Sequence, residues 1–137
     1  MPKELSLIHP CGLHIGKDLP ELEVQAIDGV QVRDMRTGFV WYRLPEAQIA
    51  GQRITMSLCF FERRLDRISL AVLDDKLFGS SWDDWSASKE HARASATMRW
   101  LADVGYAVGT YSWGAVYAGT DPKTGDGSGG ITLTSSR

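Results

Sequence analysis

Alternation of apolar and polar positions dominates the middle of this chain. Over 53–62, Ile54, Met56, Leu58 and Phe60 fall on one side of an extended strand, with Thr55, Ser57, Cys59 and Phe61 on the other. The same two-residue period returns at Ile68, Leu70 and Val72. Between the two runs lies a charged stretch: Glu62, Arg63, Arg64, Leu65, Asp66 and Arg67. Together they predict an antiparallel hairpin with a charged tip. Residues 39–44 are aromatic and β-branched and stop at Pro45, which predicts another strand, followed by a loop over 45–51. Leu22, Val24 and Ala26 alternate as the start of a strand that ends at Asp28 and Gly29, a hairpin-turn pair. Residues 30–35 are its expected partner, and Thr37 with Gly38 breaks the chain after it. Residues 1–20 hold Pro, Gly and His with little periodicity, so an irregular or mobile lead-in is expected.

Beyond Gly79, Ser80 and Ser81 the period lengthens. Ser81 followed by Trp82, Asp83 and Asp84 reads as an N-cap with acids in the first turn, and Gly105 reads as a stop. A helix over about 83–103 is expected. Its wheel carries two apolar stripes: Trp82, Trp85, Ala92, Ala96, Trp100 and Val104, then Ala87, Ala94, Met98 and Leu101. Two stripes predict cover on more than one side. A strand, a flexible glycine-rich loop over 119–130 and a last strand complete the reading. The expected class is α+β, with an antiparallel sheet of about five to seven strands and one main helix packed on it, in the order β-β-β-α-β-β.

The chain has 137 residues, 43% of them hydrophobic, which suits one domain with a real core. Net charge is −2, from 15 basic and 17 acidic residues, a balance that predicts neither a nucleic-acid nor an anionic-membrane partner. No apolar run approaches the ~18 residues of a spanning helix. No signal-like segment follows the opening Met, so a cytoplasmic protein with reduced Cys11 and Cys59 is expected.

No catalytic motif stands out, and nothing in the chain asks for a cofactor. His9, Cys11 and His14 are ligand types for zinc, with Cys59 or His91 as completing groups, but the spacing matches no standard finger. Cys59 has no base legible beside it and reads as a core thiol. His91 with Asp83 or Asp84 has no nucleophile placed near it. Asp121 and Asp126 lack the calcium-loop pattern, and the glycines lack the Gly-Lys-Ser/Thr of a phosphate loop. The charged tip at 62–67 could dock an acidic partner or phosphate. Tryptophan is the strongest signal: Trp82, Trp85, Trp100 and Trp113 mark either a core centre or a binding surface, with Arg93 close to the stripe as a cation–π candidate.

Residues 82–133 carry Trp82, Asp83, Asp84, Trp85 and Ser86, then Arg99, Trp100 and Leu101, then Tyr111, Ser112, Trp113 and Gly114, then Asp121 to Gly125. This pattern resembles small uncharacterised proteins of Gram-negative bacteria, a group without a known activity. The resemblance concerns fold and implies no functional residues. The expected function is a non-catalytic, protein-binding module of immunity or accessory type, binding through Trp82, Trp85, Arg93, Trp100 and Trp113. The alternative is a small-molecule-binding protein or enzyme with a pocket between sheet and helix. A homodimer through a sheet edge or helix fits either reading.

Overall fold

Four strands of ten or seven residues, each with an apolar side, are too wide for a single helix to cover. The chain solves this with two covering elements on one side of one sheet. The computed structural model describes residues 5–74, 86–120 and 127–133. In chain order these form β1 (Leu7–His9), β2 (Leu13–Ile15), α1 (Glu21–Gln25), β3 (Gln31–Asp34), β4 (Phe39–Arg43), β5 (Ala47–Ile49), β6 (Gln52–Phe61) and β7 (Arg64–Leu73). Then follow α2 (Ala87–Asp103), β8 (Gly109–Tyr111), β9 (Gly114–Thr120) and β10 (Gly127–Leu133).

The large sheet has eight antiparallel strands in the path β3-β4-β6-β7-β10-β9-β8, with β5 beside the start of β6. β1 and β2 form a separate hairpin. The fold is therefore mostly β, which corrects the expected α+β class of five to seven strands. Extra strands lie where residues 1–20 and 45–51 were expected to be irregular, and β9 and β10 run into the loop expected at 119–130. β1, β2 and β5 are three residues each, too short to show a period.

Residues 21–25 are helical rather than extended. Val24 is fully buried while Leu22 is 77% exposed, so the short alternation is one turn of helix, with Glu21 and Glu23 near its N-terminus. Tyr42 ties this helix down: its hydroxyl donates to Glu21 Oε2 at 2.6 Å and accepts from Gln25 Nε2 at 3.0 Å. At the other end of the core, the Tyr106 hydroxyl accepts from Ser6 N at 2.6 Å and donates to Ser6 O at 3.0 Å. Leu5, Leu7, Leu13 and Ile15 of the N-terminal segment are buried in the same cluster as Ile54, Leu58, Ile68 and Ile131. These residues are anything but a loose lead-in.

α2 begins at Ala87, where Ser86 is the N-cap and its hydroxyl accepts from Lys89 N at 3.1 Å. The expected start near 83 and the Ser81 cap lie outside the described residues. The buried stripe of α2 is single, not double: Glu90, Ala94, Thr97, Trp100 and Leu101 are buried, whereas Ala92 and Met98 are exposed. Two polar residues belong to it because each satisfies a strand. Glu90 Oε1 accepts from Gly127 N at 2.9 Å and from Arg93 Nη1 at 3.1 Å. Thr97 Oγ1 accepts from Val72 N at 3.1 Å and donates to Arg93 O at 2.8 Å.

The glycine-rich segment explains how close the helix comes. Gly127, Ser128, Gly129 and Gly130 are not a loop but a central strand between β7 and β9. A Cβ on Gly127 would collide with the Glu90 carbonyl, and one on Gly129 would sit 2.7 Å from Thr97 Cγ2 and 3.0 Å from Leu101 Cδ1. Glycine is needed here for backbone approach, not for turning.

Candidate binding surface

Strand alternation assigns each residue of the sheet to a face, and the described elements cover only one of them. Tyr42, Leu58, Ile68, Ile131 and Val116 share the row that faces the N-terminal segment and α2. The opposite face is not covered by any described element. One row on that face runs across six strands as Arg33, Trp41, Cys59, Arg67, Thr132 and Ala115. A second holds Gln31, Arg43, Ser57, Ser69, Gly130 and Tyr117. A third pairs Phe39, Phe61 and Arg64.

The open face is thus aromatic and arginine-bearing. Phe39 and Phe61 pack at 4.5 Å between ring centroids, and both are only partly shielded, as is Trp41. Tyr117 is 45% exposed and lies over Gly130, where a Cβ would collide with its ring. Arg33, Arg43 and Arg64 are exposed and make no ion pair among the described residues. Arg67 donates from Nε to Asp66 Oδ2 at 3.0 Å, and Asp66 is the extra residue where the register shifts between Cys59 and Phe60. Cys59 lies beneath this face, and burial first, then the Asp66 charge, pushes its thiol up to about 11 despite Arg67. At neutral pH it is a protonated, apolar filler, not a nucleophile.

Of the predicted binding residues, the described ones, Arg93, Trp100 and Trp113, are not brought together on one surface. Trp82 and Trp85 lie outside the described residues. Trp100 is 3% exposed and its Nε1–H donates to Ile49 O at 2.9 Å, so it anchors β5 to α2. Trp113 is 8% exposed and stacks on Tyr111 at 4.8 Å, with Tyr106 edge-on to both rings. Arg93 pairs with buried Glu90. Between α2 and the sheet, Thr97 and Leu101 fill the space over Gly129.

The other candidates separate as cleanly. His9 and His14 point to opposite sides of the β1–β2 hairpin, since His9 is buried and His14 exposed, so they cannot share a metal ion. His9 Nδ1 accepts from Cys11 N at 3.1 Å, and His14 Nε2 meets Ser6 Oγ at 2.7 Å. Burial lowers the His9 pKa, partly offset by the Pro45 carbonyl. His91 is exposed on α2, while Asp83, Asp84, Asp121 and Asp126 lie outside the described residues.

Trp41, Phe39, Arg33 and Arg43 were missed as a group. The signal was available: Phe39, Trp41 and Arg43 alternate against Val40, Tyr42 and Leu44. No helix among the described residues is long and apolar enough to cross a membrane. No family model matches the chain, and neither a curated protein nor a solved structure matches it.

Proposed function

We propose that this protein is a non-catalytic protein-binding module, of immunity or accessory type, and that it binds through the open face of its large sheet. The observation that carries this reading is the one-sided cover: Trp41, Phe39, Phe61 and Tyr117 stand among unpaired arginines on a face that no described element covers. Aromatic residues and arginine are the types that dominate the energetics of protein interfaces. The likeness of residues 82–133 to proteins of Gram-negative bacteria suggests a bacterial cytoplasm as the setting.

The test compares capture by variants of the full chain. Trp41→Ala combined with Arg43→Ala removes the centre of the face, while Arg99→Ala and Met98→Ala alter the exposed side of α2. Capture of a partner from a bacterial lysate by the wild type and the α2 variants, with loss in the face variant, is the expected result. Capture that survives the face variant, or that fails only when α2 is altered, would overturn the reading. Circular dichroism on each variant separates lost binding from lost folding.

A further inference from the structure

One corner of the open face differs from the rest of the molecule in charge. The β3–β4 turn and the β6–β7 turn meet there, with Glu62 N donating to Gly38 O at 3.4 Å. Arg36 sits in the first turn, Arg63 in the second, and Arg33, Arg64 and Arg67 on the adjoining strands. Against these five arginines stand three carboxylates, Asp34, Glu62 and Asp66. Asp34 Oδ1 already accepts from Arg36 N at 2.8 Å, and Asp66 holds Arg67. The remainder of the chain carries ten basic and fourteen acidic residues, so the net charge of −2 conceals a basic corner on an acidic body.

The backbone there is also costly. Arg36, Glu62 and Arg63 have φ of 60°, 50° and 70°, and only one other non-glycine among the described residues, Ala50, has a positive φ. A two-residue hairpin loop with both central φ positive strongly prefers Asn and Gly. Glu and Arg in those positions cost stability relative to Asn and Gly.

All the basic side chains at this corner are arginine; none is lysine. Planar guanidinium groups bind carboxylates through two parallel hydrogen bonds, and arginine beside aromatic rings is characteristic of protein interfaces. Resting on the sheet-face reading above, we propose that this corner anchors an acidic, carboxylate-bearing segment of a protein partner, with Phe39, Phe61 and Trp41 receiving its apolar side chains.

The experiment is a titration of the isotope-labelled full chain, followed by amide and indole resonances. Octaglutamate and a single-stranded oligothymidylate of equal charge are the two probes. The expected result is saturable movement of the amides at 33–38 and 61–67 and of the Trp41 indole with octaglutamate, with oligothymidylate binding no tighter. Arg63→Ala with Arg64→Ala should weaken octaglutamate roughly tenfold or more, at about three- to fivefold per exposed guanidinium contact, and Arg99→Ala should leave it unchanged. Absent or scattered shifts, indifference to the double variant, or tighter oligothymidylate binding would each overturn the proposal. Partner capture that is lost with Trp41→Ala and Arg43→Ala but retained with Arg63→Ala and Arg64→Ala would remove the acidic anchor and leave the sheet-face reading standing.

Discussion

Replacing Gly129 by alanine should destabilise the protein by about 2 kcal/mol, whereas the same change at Gly119 should be neutral or slightly stabilising. Both glycines belong to the segment expected to be a flexible loop, and both lie on strands. At Gly129 the added methyl group would meet Thr97 Cγ2 at 2.7 Å, Leu101 Cδ1 at 3.0 Å and Tyr117 O at 3.2 Å. Thr97 cannot rotate away without breaking its bonds to Val72 N and Arg93 O. Either α2 lifts from β10 or the hydroxyl loses its partners, and overpacking of this kind costs about 1–3 kcal/mol. At Gly119 nothing lies within 4 Å and φ is ordinary, so alanine only narrows the unfolded ensemble, for a gain of up to ~1 kcal/mol. Gly130→Ala should fall between them, because the ring it meets belongs to exposed Tyr117 and can swing outward. Urea denaturation followed by circular dichroism measures the series, and the gap of about 2–3 kcal/mol corresponds to roughly 8–10 °C in Tm. If Gly129→Ala and Gly119→Ala agree within about 0.5 kcal/mol, well inside the cost of overpacking, α2 does not lie on β10 as described.

Four further outcomes follow from individual side chains. His9 is buried with a lowered pKa, so the unfolded chain takes up the proton first; stability is complete above pH 6.5 and falls on acidification below it. The slope should not exceed about 1.4 kcal/mol per pH unit and should flatten in His9→Asn, as read by denaturation between about pH 5.5 and 7.5. Mass spectrometry after alkylation at about pH 8 should find Cys11 modified and Cys59 untouched, because the Cys59 thiol ionises only near pH 11; equal labelling of both would contradict its burial. Glu62→Asn with Arg63→Gly should raise stability by about 1–2 kcal/mol, since both positions have positive φ; an unchanged denaturation midpoint would show that the turn is unstrained. Glu90→Ala should cost about 2–4 kcal/mol by leaving the buried Gly127 N–H without its acceptor and removing the ion pair to Arg93, and Glu90→Gln, which can still accept from Gly127, should cost clearly less in the same assay.

The β6–β7 hairpin and β4 were readable because each buries one face against apolar cover, which imposes a period of two on their side chains. The first half of β10 was not, because glycine signals a turn when only local backbone freedom is considered. Here Gly127 and Gly129 are set by what lies above them, and Glu90 and Thr97 of α2 are not neighbours in sequence. The same gap explains the misread helix face. Glu90 and Thr97 look like solvent residues until their strand partners are known, so the wheel favoured Ala92 and Met98, which are exposed. Four tryptophans left core and surface both open, and Trp100 decides for the core, its N–H donating to the Ile49 carbonyl. The basic corner was half legible: the charged tip at 62–67 stood out, but Arg33 and Arg36 join it only through the pairing of β3 with β4. A net charge of −2 averages over that separation and hides it.

The route of the chain through the sheet also governs how the protein must be made. α2 carries it from β7 over to the far edge at β8, and it returns through β9, so that β10 closes the gap beside β7. Ile131 there faces Ile68, its neighbour in space and a distant one in sequence. On a ribosome, β3 to β7 therefore emerge with an apolar central strand whose outer edge is unpaired, and they wait in that state until β10 has been synthesised. An open edge of this kind recruits other strands. A nascent chain stalled before residue 127 should be the form most dependent on chaperones, and loss of β10 should produce aggregation rather than a smaller folded protein.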